Sequence, residues 1–284
     1  MSWAGRMPSA HGMGPRRGGH HRLEGARTMI RPRGRRGVSR SWEQQRFEFD
    51  TYGFAVLESV LDEETSGRLA ERLDLLDRQR GIDYTHDGAF ARHISSVYAD
   101  DDELMALVDH SDVLGFIESI LGAQIILGSC NARIVRPGDP LQPFHSDIPS
   151  QLRRSGAPVM LNAVWMIDAF NEANGATRFV PGSHLLEAAT PPPGVAVPYE
   201  VPALGPVGSV LVFNGQCWHG GGANRSDGIR RAIFAHYRIS PWMRFALDPS
   251  RWVSPDQWAR MTTRQRELLR MPDSRDQPTS ADYY

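Results

Sequence analysis

The chain has 284 residues, of which 40% are hydrophobic and 23% charged, with a formal net charge of −1. This composition is typical of a globular protein that buries a substantial core, and no apolar run reaches the roughly 18 to 20 residues of a membrane-spanning helix. Only two cysteines are present, Cys130 and Cys217, and the N-terminus has no apolar signal segment, so a disulfide scaffold is excluded and a cytoplasmic location is expected.

Residues 1–40 differ in composition from the rest of the chain. They hold ten arginines and one acidic residue, Glu24, and are rich in Gly and Pro without any apolar period. Such a segment cannot offset its ordering entropy, so we predict a disordered arm followed by one domain over residues 41–284. Basic charge attracts nucleic acid, and an extension ahead of a start at Met29 is an alternative. We favour an arm without a catalytic role, and expect neither a nucleic-acid nor a membrane partner.

The domain opens with a strand and a helix. The run "GFAVLESVL", residues 53–61, is rich in apolar residues and predicts a strand. Asp62 fits an N-cap, and Leu69, Leu73 and Leu76 follow at three- and four-residue steps. This spacing predicts a helix that buries one leucine face.

Further helices are predicted on both sides of the central region. Residues 101–110 and 111–122 form two short helical patterns, and we expect Ser111 to cap the second and Gly122 to stop it. The segment 254–272 returns to a helical pattern near the end of the chain.

From residue 124 the hydrophobic period changes to that of strands. The runs are short, rich in β-branched and aromatic residues, and separated by Gly, Pro, Asn and Asp. They cover residues 124–135, 159–170, 176–182, 208–215 and 230–239. Because no helix separates them, they favour an antiparallel barrel or double sheet over a βαβ fold.

A possible metal site combines two distant motifs. His145 and Asp147 are two residues apart, so they would share one side of a strand if the strand continues through them. His219 follows a predicted strand, and the three glycines after it would let the backbone pass close to a bound group. Two histidines and one carboxylate, with positions left open, are the ligands of non-haem Fe(II) oxygenases. The first pair alone would be a weak signal.

Two adjacent arginines offer a site for an oxo acid. An oxo acid that chelates iron needs a cation for its remote carboxylate, and the planar fork of arginine binds a carboxylate with two hydrogen bonds. Arg230 and Arg231 follow the His219 loop on a predicted strand. Neighbours on a strand face opposite sides, so only one of them can enter the barrel.

With these motifs in place, the chain resembles the phytanoyl-CoA dioxygenase family of Fe(II)/2-oxoglutarate-dependent oxygenases. Four segments carry the resemblance in the family's order, over about residues 50 to 240. They are "YGFAVLESVL", "FHSD", "NEANGATRFVPGSH" and "HGGGANRSDGIRRAIFAHY". The resemblance implies a mainly β fold with α-helices, in which helices flank a double-stranded β-helix (jelly-roll, cupin-like) core.

The resemblance also implies the metal ligands. His145, Asp147 and His219 are expected to bind Fe(II) and to form the catalytic centre. Related halogenases carry a small residue where this chain has Asp147, so its presence favours oxygen insertion or another oxidation.

The binding of the co-substrate 2-oxoglutarate is inferred in the same way. The family's arginine lies eleven residues beyond the distal histidine, which corresponds to Arg230 and leaves Arg231 facing outward. Thr177, Gln142 and Asn131 fall where family members hydrogen-bond the oxo acid.

The implied activity is oxidation of a small organic molecule. With O2 and 2-oxoglutarate as co-substrates, the enzyme would hydroxylate or otherwise oxidise a C–H bond and release succinate and CO2. We expect a metabolite of specialised (natural-product) biosynthesis, because the phosphates of an acyl-CoA need cations and, besides the Arg230–Arg231 pair already considered, the body has only Arg153 and Arg154 as adjacent basic residues. The alternatives are a fatty acyl-CoA 2-hydroxylase and a non-oxygenase jelly-roll metalloprotein, either a cupin-like isomerase or a binding module. A monomer or homodimer is expected.

Several other residues have less specific interpretations. His184 is interpreted as a structural hydrogen-bonding residue, His236 as a satisfied core histidine and Cys217 as a buried, inert thiol. The segment 84–98 is a candidate source of substrate contacts. Three tryptophans fit either a substrate pocket or the core: Trp165, Trp218 and Trp242.

Overall fold

A computed structural model describes residues 40–86, 89–153, 157–197, 199–239 and 252–270. The predicted arm, apart from Arg40, lies outside the described residues, as do Arg154 and Trp242. In the described part of the chain, no helix has the length and apolar character to cross a membrane.

Six α-helices surround the sheets in the described residues. They are α1 (Trp42–Tyr52), α2 (Glu63–Arg80), α3 (Asp102–Ala106), α4 (Ser111–Leu121), α5 (Pro255–Arg260) and α6 (Thr263–Leu268). The predicted helix after Asp62 is confirmed as α2: the Asp62 carboxylate accepts from the Thr65 backbone N–H at 2.7 Å. Leu69, Leu73 and Leu76 are all buried.

Two helical details differ from the sequence prediction. The N-cap of α4 is His110 and Ser111 is already helical, so the predicted Ser111 cap is wrong. Gly122 ends α4 as predicted, with a left-handed φ of 79° that suits glycine. Helix α1 was not predicted, because its sequence lacks a clear apolar stripe. The predicted terminal helix is two helices, with Thr262 capping the second.

Within the described ranges, ten strands form two antiparallel sheets. They are β1 (Phe54–Leu57), β2 (Ile82–His86), β3 (Ala89–Ile94), β4 (Ile125–Val135), β5 (Met160–Met166), β6 (Thr177–Phe179), β7 (Val201–Pro202), β8 (Val210–Asn214), β9 (His219–Gly221) and β10 (Arg230–Ile239). The larger sheet has the order β1-β8-β5-β10-β4-β3-β2 and the smaller one β7-β6-β9. Each of the five strand runs predicted after residue 124 contains an observed strand, whereas the β2–β3 hairpin was not predicted.

The larger sheet packs differently on its two faces. On β10, Ile233, Ala235 and Tyr237 lie in the main core, which the sheet shares with the helices. Ala232 points to the opposite face of the sheet and belongs to a second core, which also contains Phe179 of the smaller sheet. Because side chains alternate along a strand, every second residue of β10 faces the space between the sheets. The candidate site lies on that face.

Candidate metal centre

Backbone pairing brings the two histidines together although 74 positions separate them in the sequence. The His145 N–H donates to the His219 carbonyl at 3.0 Å, and the His219 N–H donates to the His145 carbonyl at 2.9 Å. The Asp147 N–H donates to the Gly215 carbonyl at 2.9 Å. The His145 segment is therefore an isolated bridge and not the regular strand that the sequence analysis considered, yet it still aligns both motifs.

The three side chains converge as a metal site requires. One ligand atom from each of His145, Asp147 and His219 lies within 4.8 Å of the other two. The Asp147 carboxylate is 3.8 Å from His145 Nε2 and 3.6 Å from His219 Nε2. Two imidazoles and one carboxylate at these distances can share one ion.

Hydrogen bonds to carbonyl groups orient both imidazoles. His145 Nδ1 is 3.2 Å from the Pro143 carbonyl, and His219 Nδ1 is 2.9 Å from the Cys217 carbonyl. A carbonyl oxygen only accepts, so each Nδ1 donates and each Nε2 faces the Asp147 carboxylate. The second nitrogen of a metal-bound histidine commonly makes such a bond.

Burial and neighbouring groups shift the pKa values of His219 and Asp147. It lowers the pKa of His219 to about 4, which keeps the imidazole neutral near pH 7. Burial alone would raise the pKa of Asp147, but the neighbouring His219, His236 and His145 and a hydrogen bond from Asn162 outweigh it and hold that pKa below its usual value. The site thus presents a neutral His219 imidazole and an ionised Asp147 carboxylate.

The glycines after His219 allow close contact with neighbouring backbone. A Cβ on Gly220 would come within 2.7 Å of the Gln142 carbonyl, and one on Gly222 within 2.8 Å of the Ala176 carbonyl. Gly221 and Gly222 also line the cleft that contains His145, Asp147 and His219. That these glycines let the backbone approach a bound group stays a prediction.

Three of the four residues predicted to bind 2-oxoglutarate line the same cleft as the metal ligands. They are Arg230, Thr177 and Gln142. The Gln142 side chain is held by a 3.1 Å bond from the Gly221 N–H to its Oε1, while its buried Nε2 has no partner among the described residues. Asn131 is not among the lining residues, and its Oδ1 accepts from the Ser96 N–H at 2.9 Å.

Arg230 carries a buried guanidinium toward the cleft. It is 3% exposed, its guanidinium lies 4.2 Å from the centre of the Phe170 ring, and its Nε and Nη1 have no hydrogen-bond partner in the described part of the chain. Burial, with the nearby Arg133, lowers the pKa of Arg230 to about 9, so it stays cationic at neutral pH. A buried cation with unused donors is what a carboxylate ligand needs.

Arg231 faces the other way, as strand alternation requires. Its guanidinium bonds Asp74 of α2 at 2.8 Å and Asp168 at 3.0 Å. Arg231 therefore joins the sheet to a helix.

Several cleft residues escaped the sequence analysis. His236 lines the cleft and so is not the core histidine that was expected. Arg133 and Phe234 also line it, and the Arg133 guanidinium lies 5.2 Å from the centre of the Phe234 ring. Phe234 and His236 have the same strand parity as Arg230, which is the signal that could have identified them. Nothing in the sequence indicated the hydrogen bond between Asn162 and Asp147.

The remaining sequence interpretations have mixed outcomes. Trp165 is fully buried in the main core, and Trp218 is 7% exposed and does not line the cleft, whose aromatic walls are instead phenylalanines. Within the segment 84–98, Ala91 reaches the cleft.

Cys217 is buried, as expected, and burial raises its pKa to about 12. His184 is buried and does not line the cleft, and its Nδ1 has no hydrogen-bond partner among the described residues.

Comparisons with known proteins identify relatives of this chain. A family model described as phytanoyl-CoA dioxygenase matches residues 49–232. The dioxygenase cdmA of Talaromyces verruculosus is 40% identical over 106 residues, which are 35% of this chain and 35% of that protein. The dioxygenase af480 of Aspergillus fumigatus is 32% identical over 132 residues, 46% of this chain and 43% of that protein. The matches thus span less than half the length of these curated relatives.

A solved structure supports the fold. The epimerase SnoN, crystallised with Fe3+, alpha ketoglutarate and nogalamycin RO, matches with a TM-score of 0.58 and 21% sequence identity, covering 70% of this chain and 83% of that one. At this identity the likeness shows the fold alone. The double-stranded β-helix core expected from the sequence is confirmed.

Proposed function

Because the chain belongs to the phytanoyl-CoA dioxygenase family, we propose that it is an Fe(II)- and 2-oxoglutarate-dependent oxygenase that oxidises a C–H bond of a small organic metabolite. The observation that carries the proposal is the convergence of His145, Asp147 and His219 in one cleft with the buried Arg230. In this proposal the first three residues are the Fe(II) ligands and the fourth binds 2-oxoglutarate.

The donor set suits Fe(II). Both imidazoles offer Nε2 and the aspartate offers a carboxylate oxygen, which leaves three positions of an octahedral ion for other ligands. When bound, the iron with 2-oxoglutarate and O2 supplies the oxidising power, and succinate and CO2 are released.

The cleft residues orient the co-substrate. The unused Nε and Nη1 of Arg230 would donate to the remote carboxylate of 2-oxoglutarate, and Thr177, 4% exposed, supplies a hydroxyl on the same wall. Gln142 would donate a hydrogen bond to 2-oxoglutarate from its Nε2, which has no partner in the described residues. A binding module without oxo-acid chemistry has no use for these buried donors, which disfavours that alternative.

An acyl-CoA substrate has less support. Arg153, one of two adjacent arginines that could bind CoA phosphates, donates instead to the carbonyls of Ser183, Leu186 and Gln216. Phe213 and Phe234 add apolar surface to the cleft. We therefore favour a compact natural-product substrate.

The proposal is tested by anaerobic titration of the metal-free protein with Fe(II) and then 2-oxoglutarate. A visible charge-transfer band should appear when 2-oxoglutarate chelates the bound iron, and His219→Ala should abolish it because the ion loses a ligand. A wild-type protein that binds Fe(II) without developing the band, and forms no succinate in air, would refute the proposal.

The substrate class needs a separate experiment. The wild-type protein would be incubated with Fe(II), 2-oxoglutarate and isotopically labelled O2, in parallel with a fatty acyl-CoA and with uncharged polycyclic scaffolds. We expect label or mass change only among the scaffolds. Turnover of the acyl-CoA alone would favour the 2-hydroxylase alternative.

A further inference from the structure

We propose that Asn162 is a positioning residue that holds Asp147 as a one-oxygen metal ligand and so keeps a coordination position open. The inference rests on the proposed iron site, but it concerns a residue that does not touch the metal.

The contact is short and buried. Asn162 lies in the middle of β5 and is fully buried. Its Nδ2 donates to Asp147 Oδ2 at 2.7 Å, the shorter end of the range for such bonds. Its strand neighbours Leu161 and Ala163 belong to the main core, so Asn162 has the parity of the inner face. The amide is thus fixed by the sheet and aimed at the carboxylate.

The bond differentiates the two carboxylate oxygens. Oδ2 accepts from the amide and lies 3.6 Å from His219 Nε2, whereas Oδ1 lies 3.8 Å from His145 Nε2 and has no such donor in the described residues. Because one lone pair of Oδ2 is engaged by the amide, binding of an ion through both oxygens is disfavoured, and Oδ1 is the oxygen left without a donor. Binding through one oxygen leaves three positions on an octahedral ion, enough for a chelating oxo acid and O2, whereas binding through both would leave two.

The other end of the amide shows that Asn162 is not part of a structural network. Asn162 Oδ1 is buried and has no hydrogen-bond partner among the described residues. An unsatisfied buried polar atom destabilises the folded state, so an apolar side chain would stabilise this position better. The next two inward residues of β5, Val164 and Met166, are apolar and belong to the core between the sheets. The amide is best explained by its bond to Asp147.

The test uses Asn162→Leu, which keeps the size of the side chain without its donor, and the smaller Asn162→Ala. Val164→Ala is the matched control, because it removes volume from the same face of β5 without a polar contact to the metal ligands. We expect Fe(II) affinity of both Asn162 variants to fall about 10- to 100-fold, as for other residues that orient metal ligands. The melting temperature of the metal-free Asn162→Leu protein should not fall.

A second measurement reports on the open position. Nitric oxide, a stand-in for O2, would be added anaerobically to protein saturated with Fe(II) and 2-oxoglutarate, and its iron complex followed by electron paramagnetic resonance. The wild type and Val164→Ala should give the full signal and Asn162→Leu a reduced one. If the wild type forms no complex with Fe(II) and 2-oxoglutarate, the proposed function fails. If it does, and the Asn162 variants match it in Fe(II) affinity and nitric oxide signal, this inference is wrong.

Discussion

Adjacent residues on one strand can have unrelated roles, and Arg230 and Arg231 are an example. Arg230 carries a buried guanidinium into the cleft with two nitrogens unpartnered in the described chain, while Arg231 forms ion pairs with Asp74 and Asp168. The difference follows from strand alternation alone. In the proposed function, it separates binding of 2-oxoglutarate from stability of the fold.

We therefore expect Arg230→Met to change 2-oxoglutarate affinity and Arg231→Met to change the stability of the fold. The first should weaken 2-oxoglutarate binding by about 2–5 kcal/mol, since a buried charge partner is lost, and leave the unfolding free energy of the metal-free protein nearly unchanged. The second should lower the unfolding free energy by about 1–3 kcal/mol and leave 2-oxoglutarate affinity intact. Titration of the charge-transfer band and urea unfolding measure the two quantities. Equal loss of 2-oxoglutarate affinity in both variants would contradict the assignment of Arg230.

At the scale of elements, the short strand β9 joins the two parts of the metal site. His219 begins β9 and pairs with His145, while Gly220 packs against the carbonyls of Gln142 and Pro143. No larger residue fits at the second position of β9 without moving the His145 segment. The strand thus controls the distance between the two histidines.

Gly220→Ala should therefore impair both stability and metal binding. Its Cβ would lie 2.7 Å and 2.9 Å from two backbone oxygens, and relief of this clash should cost about 1–3 kcal/mol. Fe(II) affinity should fall with it, because His145 and His219 move apart. In the control Gly221→Ala, the nearest atom to the new Cβ is Gln142 Oε1 at 3.6 Å, an ordinary contact, so little change is expected. Isothermal titration with Fe(II) and thermal unfolding distinguish these outcomes.

At the scale of the whole molecule, folding buries histidines in neutral form outside the metal site. Burial lowers the pKa of His93 to about 4, and burial also lowers the pKa of His184. In the unfolded chain a histidine titrates near pH 6.5. Between about pH 6.5 and 4 the unfolded chain therefore binds more protons than the folded one, so stability is full above this window and is lost as the pH falls through it.

We accordingly expect the unfolding free energy of the metal-free protein to decrease from about pH 7.5 to about pH 5. Urea unfolding at several pH values in the presence of a chelator measures it. His93→Gln should flatten part of the slope because one of the buried titrating groups is removed. A wild-type profile that is flat or rises toward low pH would contradict the prediction.

Local pattern in the sequence was sufficient to predict most of the elements and the ligand candidates. Asp62 with its three leucines defined α2, the alternation of residues 230–239 defined β10, and H-x-D with a distal histidine indicated the metal. The roles of these residues and of the arm remain predictions. Local pattern failed where the signal was weak, as in α1, or where the boundary moved by one residue, as at Ser111.

Which side chains share the cleft depends on tertiary packing, which the sequence pattern does not specify. The same parity that places Arg230 inside also places His236 there, but parity alone could not distinguish the cleft from the core. Asn131 has a suitable position in the sequence and yet bonds the Ser96 backbone outside the cleft lining. Asn162 reaches Asp147 across two separate elements. The physical reason is that periodicity specifies the direction of a side chain, whereas the packing of distant strands specifies what it meets.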